Sequence, residues 1–189
     1  ISNIFKELCT SSREKLIVTE PRVNLTISNA QDVIRYNTDL EFGLNIGVLT
    51  GDIKIECKKD NCLYYCTTQI LTDKLKKQIL ESDNITFFEY KYIIIDEVHT
   101  VDAPMIELLK IIKEYIKKFS NIIGSPIFIL SSATIDIESC INYFFETNEE
   151  REKFYSNYLS IANVPGTGSN FNREERYLSE SQCKNYNFQ

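Results

Sequence analysis

The run Tyr92-Ile93-Ile94-Ile95-Asp96-Glu97-Val98-His99 constrains the fold of this chain more than any other stretch. Four mostly β-branched apolar residues pass straight into two carboxylates, a spacer and the single histidine of the sequence. Short and apolar on both faces, the run reads as a buried strand of a parallel sheet. Open parallel sheets place their chemistry at the carboxyl ends of their strands, where Asp96 and Glu97 emerge. A hard cation such as Mg²⁺ takes one or two carboxylates plus phosphate oxygens. A second carboxylate one residue on can orient or deprotonate an attacking water. The competing reading has both acids merely capping the next helix.

The rest of the chain alternates strands with helices. The apolar spacing in residues 1–12 predicts a helix, followed by a strand over Lys15–Thr19 and a break at Glu20-Pro21-Arg22. A helix is predicted over Val23–Asp39, with Val23, Ile27, Ala30, Val33 and Ile34 on its buried side. Strands follow over Leu44–Leu49, Ile53–Cys57 and Leu63–Thr68, then a helix over Ile70–Leu80. After the strand at Lys91–Asp96 comes a long amphipathic helix over Ala103–Phe119, with Met105, Leu108, Leu109, Ile112, Tyr115 and Ile116 on its face. A strand over Pro126–Ser131 and helices over Asp136–Phe145 and Asn148–Tyr158 complete the pattern. This order predicts an α/β fold with a mostly parallel sheet and helices on both faces. From Ser160 the composition turns to Gly, Asn, Ser and Arg, which reads as a linker-like tail.

A length of 189 residues suits one domain, or one domain with an appendage. The formal charge of -6 and pI near 5.0 argue against a polyanion binder that works through a diffuse basic surface. A local nucleic-acid groove stays open. No run of about 20 apolar residues occurs, so no membrane-spanning helix is indicated. The N-terminus carries no signal-peptide pattern, and with Ile1 at its head the chain is expected to be a fragment. An intracellular setting is expected. Abundant Ile, Asn and Lys without Trp suggest an AT-rich coding bias, as in many large DNA viruses, which would place the protein in host cytoplasm or virion. Six cysteines are scattered, with Cys57, Cys62 and Cys66 grouped. Spacings of four and three residues without a fourth ligand fit zinc poorly, and reduced thiols are the expectation.

Four polar strand ends occur in order: Val18-Thr19-Glu20-Pro21-Arg22, then Thr67-Thr68, then Asp96-Glu97-Val98-His99, then Leu130-Ser131-Ser132-Ala133-Thr134. Together they resemble the first RecA-like domain of superfamily 2 DExH helicases, related to the DEAH-box RNA helicases. The Asp-Glu-Val-His spelling and the Pro-Arg-Val run look closest to the viral nucleoside triphosphate phosphohydrolase II type of RNA helicase. The resemblance covers about residues 1–178. It implies a RecA-like three-layer domain over 1–160, with 161–189 as linker and start of the second domain.

That resemblance implies an NTP-dependent helicase using ATP or another NTP with Mg²⁺. Its partners would be single-stranded or duplex nucleic acid, RNA ahead of DNA, and a second RecA-like domain in the full-length chain, with no membrane. Asp96 would hold Mg²⁺ on the NTP phosphates, Glu97 would polarise the hydrolytic water, and His99 would couple nucleotide state to strand movement. Ser132 and Thr134 would link hydrolysis to unwinding. Thr19, Pro21 and Arg22, with Thr67 and Thr68, would grip the sugar-phosphate backbone, which suits hydroxyls and one arginine that do not read bases. Each polar strand end also has a plainer reading: Thr67 and Thr68 as strand or capping residues, Ser132 and Thr134 as caps of the helix at Asp136, Arg22 as a solvated helix start.

The sequence departs from the family pattern in two places. No Gly-x-x-x-x-Gly-Lys-Ser/Thr phosphate loop occurs in the 189 residues, so the chain alone is not expected to hydrolyse NTP at a useful rate. Gln69 stands where the family usually has glycine, and Asp73 where many relatives carry arginine, which weakens the phosphate grip expected beside Thr68. Two rivals follow: a catalytically inactive helicase-derived binding domain for nucleic acid or protein, and a different superfamily 2 motor such as a transcription-factor ATPase or a DNA translocase.

Overall fold

Burial along nearly the whole length of β-strands 16–20, 46–49, 63–67 and 92–95, with apolar residues on both faces, fixes a sheet sandwiched between helices. The computed structural model describes residues 14–81, 88–100, 102–119, 125–134 and 136–157. In chain order its elements are β1 (Leu16–Glu20), α1 (Val23–Tyr36), β2 (Ile46–Leu49), β3 (Lys54–Ile55), β4 (Leu63–Thr67), α2 (Thr68–Glu81), β5 (Tyr92–Ile95), α3 (Ala103–Phe119), β6 (Ile127–Leu130), α4 (Ile137–Phe144) and α5 (Asn148–Asn157). The expected opening helix and the tail beyond Ser160 lie outside the described residues. The chain divides into two compact units, Ile1–Phe144 and Phe145–Gln189. The second takes in α5, so this division falls earlier than the composition shift at residue 160.

The described strands form one sheet in the order β3-β2-β4-β1-β5-β6. All pairings are parallel except β2 with β3. β1 lies at the centre, with Thr19 beside Cys66 on one side and Ile95 on the other. One face carries Ile17, Tyr64, Cys66, Ile93 and Ile95, covered by Leu71 and Leu75 of α2 and by Met105, Leu108, Ile112 and Tyr115 of α3. The opposite face carries Leu16, Val18, Ile46, Val48, Tyr65 and Ile94, covered by Ala30 with Ile27, Val33 and Ile34 of α1. This is the expected three-layer α/β arrangement. A Lys76–Glu107 ion pair ties α2 to α3 at the surface.

The expected face of α3 is the observed one, extended by Phe119. On α1 the expectation needs a correction. Val23 is 38% exposed, and Thr26 is buried in its stead. A polar residue can take that place because the Thr26 hydroxyl donates to Arg22 O at 3.0 Å, within its own first turn.

Candidate functional site

Because β1, β2, β4, β5 and β6 run parallel, their carboxyl ends share one edge of the sheet. Thr19-Glu20, Thr67, Asp96 and Ser131 therefore reach the same edge. Backbone pairing continues past the strands there: Ser131 N–H donates to Ile95 O (2.9 Å) and Val98 N–H to Ser131 O (3.1 Å). Asp96 N–H reaches back to Thr19 O at 3.4 Å. The loop 96–99 is thus stitched to the ends of β1 and β6.

Within that loop Asp96 Oδ1 accepts the Glu97 N–H at 3.0 Å. Glu97 has φ +54°, the left-handed region, at a cost of roughly 1–2 kcal/mol for a residue with a Cβ. Such strain at the end of a strand marks a position held for a reason other than local comfort. Thr100 N–H closes the turn onto Glu97 O at 2.8 Å. The turn brings Glu97 Oε2 to 3.0 Å from His99 Nε2. The other ring nitrogen, Nδ1, lies 3.0 Å from Ser132 Oγ, which also accepts the Thr134 N–H at 3.2 Å. A carboxylate at Nε2 favours the proton there, leaving Nδ1 to accept from the Ser132 hydroxyl. The imidazole is held between a carboxylate of its own loop and a hydroxyl at the end of the neighbouring strand.

Capping does not account for these residues. Asp102 caps α3, its Oδ1 accepting the Met105 N–H at 2.9 Å. Asp136 caps α4 through the Ser139 N–H at 3.2 Å and hydroxyl at 2.6 Å. Asp96 and Glu97 are thereby released from the first duty, and Ser132 and Thr134 from the second. Thr134 is exposed and joins the described contacts through its backbone N–H.

The residues expected to grip a polynucleotide separate into two groups. Arg22 is exposed at the N-cap of α1 with no side-chain capping bond, Pro21 is half-buried beside it, and Thr67 is half-buried at the end of β4. These stay available at the edge. Thr19 does not: its side chain is fully buried, so a contact with nucleic acid is withdrawn. Its alternation with Val18 turns it to the face covered by α2 and α3, and its Oγ1 has no hydrogen-bond partner among the described residues. Thr68 is also buried, its hydroxyl donating to Glu20 O at 3.4 Å, so that side chain links α2 to β1 and does not face solvent. Gln69 and Asp73 bond each other across one helical turn, Nε2 to Oδ1 at 3.0 Å.

Sequence reasoning passed over Glu20. It is 1% exposed at the end of the central strand, with Oε1 accepting from Asn29 Nδ2 at 2.6 Å. Burial pushes its carboxyl above the usual range; the Asn29 hydrogen bond pulls the other way, and the charges of Asp96 and Glu97 push it further up. The signal was available, since the period of two puts Glu20 on the buried face with Leu16 and Val18.

Three carboxylates thus share this edge, and among the described residues no ion pair supplies a cation to Asp96. A hard divalent cation fits such a field. Among the described residues no three His, Cys, Asp or Glu side chains are grouped to hold a metal unaided. An ion bound by one carboxylate plus phosphate oxygens does not need such a group.

The mostly parallel six-stranded sheet, with acids, hydroxyls and one imidazole at its carboxyl edge, is consistent with a RecA-like α/β domain, and comparison with known proteins puts the chain in the superfamily 2 helicase class. The chain belongs to the family described as "Type III restriction enzyme, res subunit", which matches residues 1–136. It is 31% identical over 139 residues to the "Probable ATP-dependent RNA helicase spindle-E" of Aedes aegypti, covering 74% of this chain and 9% of that protein. The Drosophila melanogaster protein of the same name is 31% identical over 138 residues, 70% of this chain and 9% of its own length. "ATP-dependent RNA helicase DHX29" of Mus musculus is 29% identical over 152 residues, 76% of this chain and 10% of its own length. The chain therefore spans about a tenth of the length of these relatives.

Proposed function

We propose that this chain is the first RecA-like domain of an NTP-dependent helicase of the DExH type, acting on RNA ahead of DNA. The observation that carries the reading is the imidazole of His99 held between Glu97 and Ser132, which joins the acidic loop to the next strand end. The helicase relatives named for ATP and RNA support it. The Asp-Glu-Val-His spelling favours the viral nucleoside triphosphate phosphohydrolase II type within this class.

In this reading Asp96 would hold Mg²⁺, which would supply positive charge to offset that of the NTP phosphate oxygens. Glu97 orients the attacking water and accepts its proton. His99 takes up the change at Glu97 and passes it to Ser132, hence to the Ser132–Thr134 turn. Arg22, Pro21 and Thr67 lie along the edge where a sugar-phosphate backbone would be gripped without reading bases. In this reading hydrolysis needs a phosphate loop, which residues 1–189 do not contain, so this stretch alone would be inactive.

A second reading has one observation in its favour: the matching family is named for a restriction-enzyme subunit, which points to a motor on duplex DNA. The test is NTP hydrolysis by the full-length protein, with single-stranded RNA, single-stranded DNA and duplex DNA as stimulants. Stimulation by RNA above both DNAs supports the first reading. Stimulation by duplex DNA alone moves the assignment to the second. No hydrolysis under any condition leaves a helicase-derived binding domain.

A further inference from the structure

The end of β1 is held by polar contacts that the proposed chemistry does not use. Side-chain alternation along the strand turns Glu20 to the face covered by α1, where it is 1% exposed. The chain then reverses over Pro21 and Arg22 and returns as α1. Asn29 stands about two turns into that helix. It follows buried Thr26 by three residues and precedes Val33 by four, so it lies on the side that meets the sheet. From there its Nδ2 donates to Glu20 Oε1 at 2.6 Å. The bond closes the strand–turn–helix reversal across its base, with Arg22 at the apex.

A second arm comes from α2. Thr68 opens that helix, is buried, and its hydroxyl donates to Glu20 O at 3.4 Å. Glu20 therefore receives α1 through its side chain and α2 through its backbone. The apex itself is fixed by Thr26, whose hydroxyl and N–H each donate to Arg22 O at 3.0 Å. Two side chains are left at the edge by this arrangement: Arg22 at the apex, and Thr67, the residue before Thr68. Arg22 is exposed, its backbone is extended, and its guanidinium has no ion pair among the described residues. The backbone that carries it is what sets its direction.

A buried carboxyl costs stability, and an apolar side chain would fill the same place at less cost. What the carboxyl adds is a fixed relation between β1, α1 and α2. We propose that Asn29, Glu20 and Thr68 form a positioning clamp for Arg22 and Thr67, so that the grip of Arg22 on a nucleic-acid phosphate depends on Asn29, a side chain that touches no nucleic acid. Fixing the apex beforehand spares the cost of ordering it when a phosphate binds. The clamp rests on the reading of this edge as a nucleic-acid grip.

The experiment titrates a labelled oligouridine with the full-length protein, by fluorescence anisotropy over a series of salt concentrations. It runs as a double-mutant cycle of Asn29→Ala and Arg22→Ala, with thermal unfolding as the check that each variant folds. Arg22→Ala is expected to weaken binding and to flatten the slope of log affinity against log salt by about 0.7, one phosphate contact on a single strand. Asn29→Ala is expected to weaken binding about 2- to 10-fold, the net contribution of one hydrogen bond, and to flatten the same slope. In the Arg22→Ala background it is expected to do nothing further. Equal loss in both backgrounds, or loss in neither, overturns the clamp and leaves the grip at Arg22 standing. Glu20→Gln can still accept from Asn29 and is expected to bind at least as tightly as wild type; a loss equal to that of Asn29→Ala also overturns the clamp. Unchanged affinity and slope in Arg22→Ala overturn the reading of the edge, and the clamp with it. Should Asn29→Ala not fold, Thr68→Val, close in shape and apolar at a buried place, cuts the second arm and runs through the same cycle with the same expectations.

Discussion

Nδ1 of His99 lies 3.0 Å from the Ser132 hydroxyl, and this contact joins the loop after β5 to the end of β6. If it transmits nucleotide state, the two residues act as a unit in the full-length protein. His99→Ala and Ser132→Ala should each lower strand separation per NTP hydrolysed while hydrolysis itself persists. Their effects should overlap, with a coupling of about 1 kcal/mol in a double-mutant cycle. A cycle in which the two losses simply add would show that the contact carries nothing.

The proposed function asks Glu97 to handle the proton of the attacking water. Glu97→Gln in the full-length protein keeps shape and a hydrogen-bonding side chain but removes the base. Turnover should fall by ~10²–10⁴-fold, with nucleotide affinity nearly unchanged. Equilibrium binding of a labelled nucleotide beside steady-state hydrolysis separates these two quantities. Persistent turnover would transfer the water-activating role to another residue.

Glu20 sets a pH dependence whose sign can be worked out. Its folded-state pKa is raised above the ordinary 4.5, by burial first and then by Asp96 and Glu97. Its contribution to stability is therefore fully present below the unfolded pKa and is lost as pH rises through the folded one. Glu20→Gln cannot ionise, and its side-chain oxygen can still accept from Asn29. The variant should be more stable than wild type at neutral pH, with the gain shrinking to nothing in acid. Chemical denaturation at a series of pH values checks this. A gain of equal size at every pH would mean that ionisation of Glu20 is not what is relieved.

Most of this architecture was legible because the strands announce themselves twice, by β-branched apolar runs and by the polar residues that end them. Ile93-Ile94-Ile95 followed by Asp96 marked both the buried strand and its polar carboxyl end. The helix α3 was legible to its ends, since Met105, Leu108, Ile112 and Tyr115 keep one face. What stayed hidden depends on neighbours distant in sequence. Thr19 reads as a polar strand end until the layer of α2 and α3 is placed over it. Glu20 reads as a strand-ending turn residue until Asn29 is brought to its carboxylate. The left-handed turn at Glu97 has no glycine or asparagine to signal it.

Gly47 tests the register of the sheet without touching the acidic edge. It pairs with Tyr64 across β2 and β4, on the face where the tyrosine ring lies over it. A Cβ at this position would fall 2.3 Å from Tyr64 Cε1, 2.4 Å from Cδ1 and 2.9 Å from Ile55 O. The ring is fixed by packing edge-on to Tyr90 and by the Cys57 N–H that its hydroxyl accepts, so it has little room to retreat. Gly47→Ala should therefore destabilise the domain by about 1–3 kcal/mol through overpacking. Adding Tyr64→Leu should recover part of that loss, since the ring atoms are gone. Recovery should stay incomplete because the Ile55 carbonyl belongs to the backbone of β3. Thermal or denaturant unfolding of the two variants reads this directly. A Gly47→Ala protein as stable as wild type would mean that β2 does not lie against β4 in this register.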